Sequence, residues 1–225
     1  MKPRLLDLFC GAGGAAMGYS RAGFEVVGVD IKPQLNYPFE FFQMDALEAL
    51  RVELEEVREF GEPQRFDAIH ASPPCQAYST LKHRTGGEYA DLIAETRELL
   101  EATGLPYVIE NVVGAPLREP VMLCGSTLGL EVDGRELRWH RLFETNFPLI
   151  VPACQHDQPV VGVYGTGGGG QMTRGYKAAG VAQVREALGT PWMTIAECAQ
   201  AIPPAITELI GHQLLQHIKA KEAVA

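Results

Sequence analysis

No apolar run in the 225-residue sequence approaches the ~20 residues of a membrane-spanning helix, and its opening, MKPRLLDLF, lacks the apolar stretch of a signal peptide. A cytoplasmic protein with no membrane partner is expected. Cysteine is sparse: Cys10, Cys75, Cys124, Cys154 and Cys198 lie far apart, are odd in number and form no Cys-x-x-Cys pair. That argues against a disulfide framework and for a reduced chain. The one ligand-like spacing, Cys154 with His156, has no second pair at zinc-finger spacing, so the segment reads as ordinary loop and no metal is expected. Internal repeats are also missing. So is a basic excess, since the formal net charge is −9, which argues against a generic nucleic-acid binder.

The charge is unevenly spread. Between Glu40 and Glu101 fourteen acids face six bases, whereas from Arg135 to Arg185 six bases (Arg135, Arg138, Arg141, Arg174, Lys177, Arg185) outnumber Glu136, Glu144 and Asp157. A basic face on an acidic protein is therefore expected, with most acids on solvated helix surfaces. With 46% hydrophobic residues, the chain fills one well-packed domain and a small appended lobe.

What the sequence does contain is alternation. Short β-rich runs at 4–9, 25–30, 40–45, 66–72 and 107–111 are separated by helical patterns at 13–23, 46–61 and the segment ending at Gly104. This order predicts a mostly parallel sheet with helices on both faces. Beyond Gly114 the segments shorten. Strands are expected at 141–147 and 160–165, a loop tip at the glycine run 167–170, a helix at about 178–189 and a last helix at 204–220 behind Pro203-Pro204. Thr194 and Glu197 have capping-box spacing.

Chemistry-bearing residues gather at the strand ends. DLFCGAGG, Asp7 to Gly14, runs from a strand through a glycine turn into a helix, the place where an open α/β sheet receives a nucleotide-like ligand. The same turn also serves plain helix–strand packing. The next strand ends at Asp30, placed to accept ribose hydroxyls, and the third run ends at Asp45, which together describe an adenosine-binding edge. The fourth run leads into SPPCQAYS, where Pro73-Pro74 fix the backbone immediately before Cys75. A lone strand-end cysteine is usually a small buried hydrophobe, but a core thiol needs no such lead. The fifth run ends in Glu110-Asn111, so a nucleophile and a carboxyl group converge. Burial would raise that carboxyl's pKa and keep it a proton donor near neutrality.

DLFCGAGG, the acidic end of VDI, the Asp of MDAL, SPPCQ and IENV resemble, in order and spacing, the motifs of cytosine-5 DNA methyltransferases. The resemblance implies a Rossmann-like class I S-adenosylmethionine-dependent methyltransferase fold with a small irregular lobe. It implies that Phe9 stacks on the adenine, that Asp30 holds the ribose and that Asp45 reads the adenine amino group. Gly11 and Gly13 would admit the methionine end, with Pro73 beside the cofactor and Asp7 and Ile31 among the other cofactor-binding residues. Cys75 would attack C6 of a flipped-out cytosine, and protonated Glu110 would meet N3 and the exocyclic amine. RWHRLFETNF resembles the family's arginine strand, with Arg141 as the match for the arginine that orients the glutamate and Arg138 as the second choice; the usual Gln-x-Arg-x-Arg spacing is absent. A structural salt bridge is the other reading of Arg141. ITELIGHQLL resembles the final motif, which would bring Gly211 to the cofactor pocket, although His212 replaces the family's asparagine and Gln200 replaces an arginine.

The domains expected on this basis are a catalytic and cofactor-binding core at 1–147, a reduced target-recognition region at 148–191 and a returning C-terminal segment at 192–225. The partner implied is double-stranded DNA, met by a monomer through Tyr78, Lys82 and Arg84 in a loop over the flipped base, through Arg138, and through Gln171, Arg174 and Lys177 near the glycine run. The short recognition region points to a lone, phage-borne enzyme rather than half of a restriction pair. Two alternatives stay open: an inactive DNA- or cofactor-binding homologue, and an enzyme of this fold using a modified sulfonium donor. Intact Cys75 and Glu110 favour catalysis.

Overall fold

A computed structural model describes residues 2–60, 65–74, 91–163, 170–172, 175–177 and 180–223, with the backbone alone at 56–60, 170–172 and 175–177. Seven strands form the main sheet: β1 (Arg4–Leu8), β2 (Glu25–Asp30), β3 (Glu40–Gln43), β4 (Ala68–Ala71), β5 (Tyr107–Asn111), β6 (Val121–Cys124) and β9 (His140–Thr145). Their order is β3-β2-β1-β4-β5-β9-β6. The first five are parallel, while β9 runs antiparallel to both β5 and β6.

The apolar runs explain this arrangement. Strands β1, β2, β4 and β5 are almost continuously buried, as parallel strands covered on both faces must be. The edge strand β3 is largely exposed. Side chains alternate between faces along each strand. Leu5, Ala68 and Val108 pack with Tyr19 of helix α1 (Gly14–Ala22) and with Ile206, Ile210 and Leu214 of the last helix. Leu6, Leu8, Ile69 and Ile109 pack on the other face with Leu50 of α2 (Ala46–Phe60) and Leu100 of α3 (Ile93–Thr103). By the same parity Asp7, His70, Ser72 and Glu110 share the α1 face.

The C-terminal segment carries α4 (Gly180–Leu188), α5 (Ile195–Cys198) and α6 (Pro204–Glu222). Thr194 and Glu197 form the capping box that their spacing predicts. Helix α6 lies against α1 at a distance that glycine sets: a Cβ at Gly18 would stand 2.0 Å from Thr207 Oγ1, and one at Gly211 would stand 2.6 Å from Ala22 Cβ.

The small lobe is a second sheet, ordered β11-β12-β10-β8-β7, from β7 (Glu131–Val132), β8 (Arg135–Leu137), β10 (Val160–Gly162), β11 (Gly170–Met172) and β12 (Gly175–Lys177). This corrects the expected boundary at 148. The hairpin β7-β8 interrupts the core chain between β6 and β9 and pairs with β10, because Glu136 and Leu137 meet Val160 and Val161 in register. The lobe is thus more ordered than expected, and strand β11 begins where a loop tip is predicted.

Candidate active site

Strands β1, β2 and β3 end flush. Leu8 lies beside Val29 and Asp30 beside Gln43, so Phe9, Asp30 and the approach to Asp45 occupy one edge. Asp30 ties this edge together, accepting from Gly11 N at 3.0 Å and Lys32 N at 2.9 Å. Asp45 Oδ1 accepts from Leu47 N and Glu48 N at the start of α2. Phe9 has φ 56 and Gly11 φ 49, a tight turn that leaves the space beyond Gly11 open: a Cβ there would meet no atom within 4 Å. Ile31 stands 64% exposed beside Asp30.

Next to this turn, α1 follows Gly13, its N-cap, which lies in the left-handed region; the helix has no side-chain cap and no acid in its first turn. Its leading N–H groups are therefore free of an internal anion, as an anion-binding helix start requires. Beneath it Asp7 is 1% exposed; Oδ2 accepts from Tyr37 Oη at 3.4 Å, and Oδ1 has no partner among the described residues. Burial pushes the Asp7 carboxyl up to about 8, with the nearby Asp30 charge adding to the rise. An exposed apolar flank, acidic acceptors at the ends of β2 and β3, an open glycine turn and an acceptor awaiting a donor fit the adenosine, ribose and methionine parts of S-adenosylmethionine.

The other half of the edge lies at the ends of β4 and β5. Glu110 is 7% exposed, and burial pushes its carboxyl up to about 7 against the opposing effects of Arg141 and a hydrogen bond from Ser72. Arg141 Nε lies 3.2 Å from Glu110 Oε1, and its guanidinium stacks 4.6 Å over the Trp139 ring. The structure thus brings together the glutamate and arginine that the sequence pairs only by resemblance. Behind them runs a polar line: Tyr19 Oη to His70 Nδ1 at 2.9 Å, and His70 Nε2 to Ser72 Oγ at 2.9 Å. Burial lowers the His70 pKa to about 3, so the ring is neutral. If Tyr19 donates to Nδ1, the Nε2 proton goes to Ser72, whose hydroxyl is then free to donate to Glu110.

Asn111, on the opposite face, donates to the Pro73 carbonyl at 2.9 Å and accepts from Val112 N through Oδ1. It therefore locks the buried Pro73 two residues ahead of Cys75. Cys75, Tyr78, Lys82, Arg84 and Arg174 lie outside the described residues, and so do the side chains of Gln171 and Lys177 on β11 and β12.

Two predicted residues go elsewhere. Gly211 faces Ala22 and Tyr19 at the C-terminal end of α1, away from the glycine turn at its start. It is a packing glycine, a correction to the expected cofactor contact. Arg138 is engaged within the small lobe by the Glu136 carboxylate and the Gln158 carbonyl, rather than held out toward a partner.

Residues that sequence reasoning missed include His70 and Ser72, whose shared parity with Glu110 was readable from the strands. Trp192 was missed as well. Its indole donates to the Ala12 carbonyl at 2.9 Å, pinning the C-terminal segment to the glycine turn. Glu197 accepts from Asn36 at 3.0 Å and does the same for the chain between β2 and β3.

One premise of the sequence reading is overturned near Cys154 and His156, where no second Cys-His pair is expected. Cys154 and His156 do have a second pair, Cys124 and His140, with all four ligand atoms within 4.8 Å of one another. That pair is invisible in sequence because the hairpin β7-β8 separates residues that the β6–β9 register sets opposite each other.

The family model for C-5 cytosine-specific DNA methylase matches residues 3–116, just over half of the chain. The type II methyltransferase M.AgeI of Thalassovita gelatinovora is 31% identical over 128 residues, 49% of this chain and 28% of its own length. A probable DNA (cytosine-5)-methyltransferase of Frog virus 3 is 30% identical over 104 residues, 46% of this chain and 43% of its own. The chain thus spans less than half the length of these relatives. The solved structure of the S. pombe Dnmt2 methyltransferase superposes with a TM-score of 0.61 at 12% identity, covering 96% of this chain and 99% of that one. The Entamoeba histolytica methyltransferase EhMeth superposes equally well, with a TM-score of 0.61 at 10% identity over 97% and 99% of the two chains. These two superpositions establish the fold.

Proposed function

Because the chain belongs to the C-5 cytosine-specific DNA methylase family, we propose that it methylates C5 of a cytosine flipped out of double-stranded DNA. The observation that carries this reading is Glu110: a buried carboxyl at the end of β5 with its pKa near 7, held by Arg141 and Ser72. Its strand neighbour Asn111 fixes Pro73 on the approach to Cys75.

When bound, S-adenosylmethionine supplies an electrophilic methyl group. Phe9, Ile31, Asp30 and Asp45 hold its adenosine part, while Asp7 and the Gly11–Gly13 turn receive its methionine end. Cytosine C5 is too weak a nucleophile alone, so the Cys75 thiolate adds to C6 and turns the ring into an enamine. The protonated Glu110 donates to N3 and stabilises the electron pair pushed there, with Arg141 fixing the carboxyl's orientation. The methyl group passes to C5, leaving the donor a neutral thioether. A base then removes the C5 proton, C5=C6 re-forms as the C6–S bond breaks with its electron pair returning to sulfur as thiolate, and N3 gives its proton back to Glu110.

Flipping the base costs a few kcal/mol, which phosphate contacts and the side chains of Tyr78, Lys82 and Arg84 help to offset. Gln171, Arg174 and Lys177 act as base-edge readers. Among the described residues no helix is long and apolar enough to cross a membrane.

Incubation with S-adenosylmethionine and 5-fluorocytosine DNA of mixed sequence tests the mechanism. The expected product is a covalent protein–DNA adduct, stable to denaturation and lost in Cys75→Ala. Absence of the adduct with undiminished DNA or cofactor binding would instead favour an inactive homologue.

A further inference from the structure

A second constellation lies outside the active site, where the main sheet meets the small lobe. Cys124 is the last residue of β6 and His140 the first of β9, directly opposite each other in the antiparallel register. Cys154 and His156 come from the stretch between β9 and β10. Cys124 Sγ lies 3.4 Å from His156 Nε2, and Cys154 Sγ lies 3.3 Å from His140 Nε2. The two imidazole centroids are 5.2 Å apart. Zinc–sulfur bonds of about 2.3 Å and zinc–nitrogen bonds of about 2.0–2.1 Å put the ligand atoms of a tetrahedron about 3.3–3.8 Å apart. The two Cys–His separations already have those lengths.

The surroundings suit a ligand set better than a chance meeting of thiols and rings. Residues 152–159 are all exposed and carry no helix or strand, so this stretch buries almost nothing to offset the cost of ordering it. Yet it presents both its cysteine and its histidine to the two on the sheet. The Ser126 hydroxyl, 3.0 Å from Cys124 Sγ, donates to the Gln155 carbonyl at 3.0 Å and so joins the two halves from behind.

From this juxtaposition we infer that Cys124, His140, Cys154 and His156 form a structural zinc site of Cys2His2 type. Four protein ligands complete the tetrahedron and leave no open position, so the metal is structural rather than catalytic. Its place in the fold defines what it does. It fastens the exposed stretch leading into β10 to the end of the catalytic sheet, and it fixes His140, whose carbonyl accepts from Arg141 Nη1 at 3.0 Å. The small lobe is thereby oriented relative to Glu110 and Arg141.

The test is metal analysis of the full chain, purified under reducing conditions with any affinity tag removed. The expected result is about one zinc per chain, with cobalt replacement giving the visible bands of a tetrahedral site and a thiolate-to-metal charge-transfer band. Cys154→Ser and His156→Asn, both on the exposed stretch, are each expected to lower the zinc content at least about fivefold, while circular dichroism shows a folded sheet and helices. Cys124 is buried and is left unaltered, so that loss of metal is not confused with loss of folding. The inference is overturned if the parent chain neither carries zinc nor takes it up, or if both variants retain a full equivalent. A Cys124–Cys154 disulfide in a metal-free parent chain would overturn it equally.

Discussion

Arg141 Nε and Glu110 Oε1 stand 3.2 Å apart across the antiparallel pair β9–β5. Burial raises the Glu110 pKa to about 7, and Arg141 keeps it from rising further. Removing Arg141 should therefore leave a carboxyl that holds its proton to higher pH. In Arg141→Ala the Glu110 titration, followed by the carbon-13 resonance of its labelled carboxyl, is expected to move upward. Methylation in single-turnover assays should slow by about 10- to 100-fold, the worth of one charge-assisted hydrogen bond. An unmoved titration would contradict the pairing.

Ser72 offers a subtler handle. Its hydrogen bond lowers the Glu110 pKa, and its hydroxyl is itself fixed by His70 and Tyr19. Ser72→Ala should shift the same resonance in the same direction, less than Arg141→Ala does, and slow the reaction by about tenfold or less. Ser72→Thr, which keeps the hydroxyl, should restore both readouts; failure of that rescue would point to packing rather than hydrogen bonding.

Stability should fall as pH rises from acid to mildly alkaline values. Asp7, raised to about 8 in the fold from 3.8, holds its proton in the native chain while the unfolded chain has lost it. The sign follows from that difference: its contribution is fully present below pH 3.8 and is lost as pH rises through about 8, by an amount on the order of a few kcal/mol. Glu110 acts in the same direction up to about 7. Buried His70, lowered to about 3, works the other way and costs stability as pH falls below its ordinary 6.5. Denaturant midpoints of the parent and Asp7→Asn between pH 5 and 8.5 check the first point, because the variant should lose less stability over that range.

The core also contains an ion pair unrelated to catalysis. Arg97 and Glu144 join through bonds of 2.7 and 2.8 Å, and Glu144 also accepts from Arg118 N at 2.7 Å. Breaking one side leaves a buried charge unpaired, so Glu144→Gln or Arg97→Met should cost about 3–5 kcal/mol in urea unfolding. The double variant, with no orphaned charge, should cost less than the two single losses added together.

Gly211→Ala separates the packing role from a cofactor role. With Ala22 Cβ 2.6 Å from the added methyl, the helix pair α1–α6 must shift, costing about 1–3 kcal/mol of stability. The affinity of the folded fraction for S-adenosylmethionine, measured by calorimetry, is expected to stay within about twofold, below half a kcal/mol. A large affinity loss at unchanged stability would return Gly211 to the cofactor pocket.

The sequence by itself determined the architecture of the core. Continuous apolar runs can be buried only between two helical layers, and so the five parallel strands and the helices between them were legible, as were the capping box at Thr194 and the last helix behind Pro203. Asp7, Asp30, Asp45 and Glu110 were legible for the same reason: each stands at or near the end of a strand whose position its apolar neighbours fix. What only the tertiary structure decided are relations across strand registers and helix crossings. Arg141 reaches Glu110 because β9 turns antiparallel onto β5. Gly211 lands on Ala22 because of the way α6 crosses α1. Cys124 meets His140 because a hairpin leaves the sheet and returns. None of these distances is set by spacing along the chain, so no local pattern could announce them.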